Sequence, residues 1–468
     1  MDSTSSPRKK RRKKSNVRKG RSHSMPVINP LVAGIDLGSE QHWVCGPSAE
    51  AGEPNVQVFG TTTAQLENLA AWLLKQNVES VAMESTHVYW IPVYELLEAS
   101  GINVLLVNAR QLHHVPGRKT DMQDCQWLQK LHSCGLLRGS FRPAESICRL
   151  RAIQRQRDNL VEERSRVVNW MQKALDQMNV QVHRAVADIT GVTGMAIVRA
   201  IVDGERDPVR LAALRNHRCK KSEAQIAEHL RGNWREEHLF NLECALRLFD
   251  TLESQIASYE SRLLQEIEAL QPTERKDQPI PKHPNPAKEK ALRTRGEQEQ
   301  RTQLWRFAGV DLTRVDGIST TAALIALTEV GTDLAAFPTE HNFVSWLRLS
   351  PRRPISGGKQ LHKRPNGTGA NRLSGALRMA ALSLCRSKTA LGAYYRKIAR
   401  RKGGKVAVFA TARKLAQLIY RMLRWGQDYV DIGEEAYERR YERQRLLALE
   451  QSARQFGYKL VEDACPTG

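Results

Sequence analysis

Four carboxylates and one serine carry the chemistry this 468-residue sequence can offer. Asp36 follows Gly34-Ile35 in an apolar run, Glu84 closes another, and Asp121 and Asp124 stand three apart. That spacing turns both aspartates to one face of a helix. Acids that converge repel each other. Mg²⁺ or Mn²⁺, hard ions that accept oxygen-only ligands, neutralise such a set. Two such ions about 3.5–4 Å apart clamp the attacking and leaving oxygens of a phosphoryl displacement. Taken singly, Asp121 also reads as a helix cap and Glu84 as a surface residue at a strand end. Ser356 lies in Pro354-Ile355-Ser356-Gly357-Gly358-Lys359, behind Arg352 and Arg353. A serine hydroxyl is a weak nucleophile until activated. The glycines let a phosphodiester approach closely, and the cations hold it. On its own the segment is a turn, and Ser345, Ser350 and Ser374 are the nearest rival hydroxyls.

The elements that must position the acids follow from periodicity. Leu31–Leu37 reads as a buried strand, followed by strands at Trp43–Cys45 and Val56–Phe59. Thr63–Gln76 has helical spacing, Ser80–Met83 is a strand, Tyr89–Ser100 a helix and Ile102–Val107 a strand. Asp121–Ser133 is a helix with Thr120 as cap and Gly135 beyond its end. Three strands followed by alternating helices and strands predict a mixed sheet with helices on its faces. That order matches the ribonuclease H-like fold, with Asp36 and Glu84 at neighbouring strand ends and the aspartate helix packed over them.

Beyond residue 142 the texture becomes helical. Ile153, Leu160 and Val167 recur every seven residues, continued by Met171, Leu175 and Met178. Leu242, Leu246, Phe249, Ile256, Leu263 and Leu270 form a second seam. These predict two long coiled-coil helices, an antiparallel pair flanking a helical insertion at about 184–240. The stretch 271–303 has five prolines and many charges and reads as a linker. From 304 a mainly α-helical part begins, in which Val315-Asp316-Gly317-Ile318 before a small-residue helix looks like a helix-hairpin-helix turn. The expected division is a basic arm at 1–28, the sheet domain at 29–142, the coiled-coil region at 143–303, the serine-bearing domain at 304–430 and a helical tail at 431–468.

Charge narrows the partners. There are 72 Lys plus Arg against 50 Asp plus Glu, a net charge of +22. Residues 1–22 carry ten of the cations and one acid, and His341–Gln427 carries 20 with no acid at all. A folded segment of one sign repels itself unless an anion sits on it, so nucleic acid is the expected partner. Arg352, Arg353, Lys359, Lys363, Arg364 and Arg372 are the candidates for phosphate contacts. No run reaches the roughly 18 apolar residues of a membrane span. The eight cysteines include no C-x-x-C pair, which excludes a zinc ribbon and reads as reduced thiols in the cytoplasm. His113-His114 and Tyr394-Tyr395 are weaker signals, for phosphate or metal and for base stacking respectively.

Taken together, G-I-D-L-G-S at 34–39, M-E-S-T at 83–86 and R-K-T-D-M-Q-D at 118–124 resemble the DEDD transposases of bacterial insertion sequences. The resemblance continues at 150–166 (L-R-A-I-Q-R-Q-R-D-N-L-V-E-E-R-S-R), at 315–326 (V-D-G-I-S-T-T-A-A-L-I-A), at 350–359 (S-P-R-R-P-I-S-G-G-K) and at 370–382 (A-N-R-L-S-G-A-L-R-M-A-A-L). It implies a RuvC-like nuclease domain whose acids are Asp36, Glu84, Asp121 and Asp124. It also implies a Ser356 that attacks DNA to form a phosphoserine link, and guidance by a structured RNA. Cys125 departs from the small residue that the family carries after the second aspartate.

The expectation is therefore an RNA-guided, metal-dependent DNA recombinase, cytoplasmic and associated with the nucleoid. It would act on donor and target DNA as a dimer or tetramer, without a membrane. The alternative is a junction-resolvase-like nuclease with no covalent intermediate. An actin-like ATPase lacks its other phosphate loops here, and a non-catalytic scaffold leaves the four acids unexplained.

Overall fold

The computed structural model describes residues 26–47, 55–85, 88–108, 121–350, 355–356, 359–360 and 371–461, and for 355–356 and 359–360 the backbone alone. Several sequence expectations lie outside these residues: most of the basic arm, the Thr120 cap, His113-His114, and Arg352, Arg353, Lys363 and Arg364. The chain divides into two compact units after Arg142.

The first unit holds β1 (Val32–Leu37), β2 (Gln41–Cys45), β3 (Val56–Gly60), α1 (Thr63–Lys75), β4 (Ser80–Glu84), α2 (Trp90–Ala99), β5 (Asn103–Val107) and α3 (Asp121–Ser133). The five strands form one sheet in the order β3-β2-β1-β4-β5. The β1–β2 and β2–β3 pairs are antiparallel, while β1–β4 and β4–β5 are parallel. This mixed sheet is consistent with a ribonuclease H-like domain. Strand alternation assigns the two faces. Ala33, Ile35, Val44, Val81 and Met83 share a core with Leu66, Leu69 and Leu73 of α1 and Val93 and Leu97 of α2. The alternate residues Gly34 and Ala82 therefore face the other way, and α3 packs against β1, β2 and β4. The unit ends on Arg142, whose guanidinium lies 4.0 Å over the Tyr94 ring and reaches Glu95 and Glu98 of α2.

The second unit is built on α4 (Glu145–Gln177) and α9 (Glu236–Ala269). They run antiparallel, as the partners Arg149–Glu266, Arg157–Glu260 and Arg164–Glu253 require. Leu242, Leu246, Phe249, Ile256 and Leu263 of α9 are buried, as their seam predicts. Between these helices α5 (Val182–Ala185), α6 (Val192–Val202), α7 (Pro208–Ala213) and α8 (Glu223–Leu230) share a core with Met171, Leu175 and Phe249.

The stretch read as a linker folds instead. It contains α10 (Pro286–Thr294) and the start of α11 (Gln298–Ala308). Arg301 is only 1% exposed there, bonded to Asp311 at 3.0 and 2.7 Å, to Glu289 at 3.0 Å and to the Pro281 carbonyl at 3.0 Å. A charged, proline-rich stretch shows no apolar period because here a buried cation organises it.

The remainder comprises α12 (Thr320–Val330), α13 (Glu340–Trp346), the strands β6 (Ile355–Ser356) and β7 (Lys359–Gln360), α14 (Arg372–Ser383), α15 (Ala390–Lys402), α16 (Gly404–Trp425) and α17 (Glu434–Gln455). Phe337, Phe343, Trp346 and Tyr420 stack into its core, with the Tyr420 hydroxyl donating to the Phe337 carbonyl at 2.7 Å. The α12 helix is tied to α4 by Glu329, which accepts from Arg155 at 2.9 and 2.8 Å. Before it, Gly317 takes a left-handed φ of 84° against α14, where a Cβ would meet the Ala380 carbonyl oxygen at 2.9 Å. Ser319 caps α12, and Thr320 donates to Glu297 at 2.7 Å, so an acid already sits at this helix start. Among the described residues no helix is long and apolar enough to cross a membrane.

Candidate functional site

Two sets of residues need separate accounts, one in each unit. In the first, Gly34 pairs with Ala82 and Ile35 with Met83 across parallel strands. The next position on each strand is Asp36 and Glu84. Both are half-buried, and alternation turns them to the same face as Gly34 and Ala82. That is the face α3 covers. A Cβ on Gly34 would lie 2.4 Å from the Gln129 amide and 2.5 Å from the Cys125 carbonyl oxygen, so only glycine admits the helix.

The direction of α3 fixes the position of its aspartates. Its last turn lies at the strand starts, where His132 Nε2 is 2.9 Å from Ser80 Oγ and the Ser133 carbonyl accepts from Ile28 and Asn29. Its first turn, bearing exposed Asp121 and half-buried Asp124, therefore lies toward the strand ends that carry Asp36 and Glu84. Carboxylates at a helix N-terminus are favoured by its dipole.

Cys125, the residue that departs from the family, is fully buried between α3 and β1. Its Sγ donates to the Met122 carbonyl at 3.1 Å. Burial, then the neighbouring Cys45 and the Asp36 charge, push its thiol up to about 12. It stays protonated at neutral pH. Trp43, cross-strand from Asp36 and half-buried, is a neighbour that sequence reading missed; the signal for it was strand register. The acids are all oxygen donors, which suits a hard divalent ion. Among the described residues, however, no three His, Cys, Asp or Glu groups lie close enough together to hold a metal. The acids share one sheet face and one sheet end without forming a closed set of ligands.

In the second unit Ser356 ends β6, directly opposite Lys359 of β7. The two strands pair antiparallel, two residues against two, and the sequence between them is Gly357-Gly358. The rival Ser374 is buried at 7% exposure inside α14, which leaves it poorly placed to attack a polymer. Ser345 is exposed on α13 and Ser350 is half-buried. Arg372, expected on phosphate, instead reaches back to α4, with 3.0 Å to Asp158 and 2.8 Å to Asn159. The acid-free stretch borrows acids in the same way elsewhere: Arg396 pairs with Glu434 and Arg421 with Glu340. Arg386, Lys388, Arg400, Arg401, Lys402 and Lys405 remain exposed and make no ion pair among the described residues. Their positive field therefore faces solvent, as an anionic polymer requires.

Residues 33–180 match the family model for the DEDD transposase domain of the IS110 type, described as a transposase. Residues 309–396 match the model described as the Transposase IS116/IS110/IS902 family. The two matches together span about half the chain and leave α5 to α11, α16 and α17 outside both. No curated protein matches the chain. Acids on strand ends beneath an aspartate helix in one unit, a serine hairpin in the other and a family match on each lead to one conclusion: this chain belongs to the IS110-type DEDD transposases.

Proposed function

We propose that the chain is an RNA-guided recombinase that cuts and rejoins donor and target DNA through a covalent serine intermediate, working as a dimer or tetramer. The observation that carries this reading is the pair of family matches, one over each unit that holds a candidate set. Asp36, Glu84, Asp121 and Asp124 would hold Mg²⁺ or Mn²⁺, which when bound neutralises charge on the phosphate under attack. Ser356 supplies the nucleophile. Its Oγ bonds to phosphorus, the bond to one deoxyribose oxygen breaks, and that oxygen departs as a hydroxyl bearing the serine proton. One phosphodiester is exchanged for another, so the reverse attack by a new strand end rejoins DNA without an energy source. Arg352, Arg353, Lys359, Lys363 and Arg364 lie within a few residues of the serine in sequence and would steady the strand. The α4/α9 pair is read as a coiled coil that also offers a surface to a second copy.

The test is a nicked substrate that traps the intermediate, resolved on a denaturing gel and mapped by peptide mass spectrometry. Wild type should carry DNA on Ser356, Ser356→Ala should bind DNA and form no adduct, and Asp124→Asn should bind and not cut. Free ends with no adduct in wild type would point to the nuclease alternative. An adduct that persists in Ser356→Ala would remove the serine from the mechanism.

A further inference from the structure

Between the segment that follows α13 and the helices α15 and α16 lies a cleft of about 650 Å³ that neither set of candidate catalytic residues uses. Its walls combine two chemistries. Leu349, Tyr394, Val406, Phe409 and Ala410 supply an apolar surface, and Arg348, Lys405 and Arg413 supply three cations. The volume falls within the roughly 300–1,000 Å³ of pockets that enclose small ligands. Phe409 is 39% exposed and Val406 45%, large apolar side chains facing solvent in a stretch otherwise crowded with Lys and Arg. The Arg378 guanidinium lies 5.6 Å from the Phe409 ring centroid and braces it. Tyr394 is half-buried, and its hydroxyl is held above its ordinary pKa by burial, so it remains a donor. Arg348 takes a left-handed φ of 57°, unusual for a side chain of its size, where the chain leaves α13 and bends into this wall. Five residues after Ser350, which lines the cleft, β6 begins and leads to Ser356.

An apolar aromatic surface rimmed by cations is complementary to a nucleotide, which has a flat apolar base joined to an anionic phosphate. A duplex hides its bases, and only a base swung out of the stack could enter a cleft. We infer that this cleft receives one unstacked base of the DNA strand, on Phe409 and Tyr394, with its phosphate on Lys405 and Arg413. This rests on the reading of the chain as a DNA recombinase. The inserted base would set which nucleotide lies near the serine hairpin. Six of the ten lining residues come from α16, which lies beyond the family match ending at residue 396.

The test uses the full chain and two otherwise identical duplexes. One carries 2-aminopurine opposite an abasic position, so that a base is free to swing out, and the other is fully paired. Wild type should bind the first more tightly and quench its fluorescence. Phe409→Ala should weaken the first by about 5- to 150-fold, the range that stacking of one base on an aromatic ring supports, and leave the paired duplex within about twofold. Phe409→Trp, which restores a stacking surface, should keep the quench and show that the alanine effect is not misfolding. Lys405→Ala with Arg413→Ala should weaken both duplexes and reduce the salt dependence. Equal preference in wild type and Phe409→Ala, or no preference in wild type, would overturn the base pocket and leave the recombinase reading standing. Wild type binding neither duplex at low salt would bring down both.

Discussion

Replacing Gly34 by alanine tests whether the acid face is built as the geometry requires. The new Cβ would sit 2.4 Å from the Gln129 amide nitrogen and 2.5 Å from the Cys125 carbonyl oxygen, where ordinary contact begins at 3.4 Å. Both obstacles are backbone, so no side chain can swing away, and α3 must retreat by about 1 Å. Overpacking of this kind costs about 1–3 kcal/mol. At roughly 2–8 °C per kcal/mol, depending on domain size, Gly34→Ala should melt several degrees below wild type. The same retreat carries Asp121 and Asp124 away from the ends of β1 and β4. A misplacement of this size costs a reaction on the order of 100-fold. Strand cleavage measured at least 15 °C below the variant's own Tm should therefore fall by about that factor while DNA binding is kept. A variant that melts with wild type and cleaves at its rate would show that α3 does not press on β1 as described.

Gly375 gives the contrast: among the described residues a Cβ there meets nothing within 4 Å, so Gly375→Ala should raise stability by about 0.5–1 kcal/mol in denaturant unfolding. Arg301→Ala leaves Asp311 and Glu289 without their buried cation and should cost about 3–5 kcal/mol in the same assay; a loss below about 1 kcal/mol would mean the cation does not organise residues 271–318. Neutralising Arg400, Arg401 and Lys402 together should lower the slope of log K against log salt for duplex DNA by about 2–3, and an unchanged slope would take α15 out of the interface. The Cys125 thiol, at 9.0 when unperturbed and about 12 in the fold, keeps a proton that the unfolded chain loses across that window. Its contribution is complete below pH 9 and is lost as pH rises toward 12, so Cys125→Ala should flatten the alkaline fall in unfolding free energy, whatever its effect at neutral pH.

The first unit was legible because each element carries its own period. Strand alternation and helical spacing locate β1 to β5 and α1 to α3 within a residue or two, and the order of elements leaves few topologies. The seam of α9 was legible for the same reason. The seam of α4 was less so: its middle, where Arg157 and Arg164 meet acids of α9, is polar. Ile153 and Leu160 keep the seven-residue period there but are only half-buried, and the ion pairs beside them have no period to read. Residues 271–303 failed for a related reason. Arg301, Glu289 and Asp311 look like three surface charges until tertiary structure brings them together, because a buried charge is stable only with its partners in place. Arg372 shows the converse, a cation expected on phosphate but bonded to Asp158 far away in sequence.

The acids were legible by position, and the structure supplies the reason that the position recurs on two strands. Gly34-Ile35-Asp36 and Ala82-Met83-Glu84 have the same pattern: a small residue, a large apolar residue and an acid. The parallel register sets the two triplets side by side. The large residues point to α1 and α2 and anchor the core. The small residues make room for α3, and two positions further along, on the same face, the acids emerge beside the first turn of that helix. A slip of one residue in either strand would bury an acid under α1 and α2 and press Ile35 or Met83 against α3. The same apolar residues that hold the sheet together therefore decide which face carries the carboxylates. The serine lacks such support in its own strands. Its hairpin pairs two residues with two, too few to set a core-facing pattern, so sequence periodicity could identify Ser356 only as a turn.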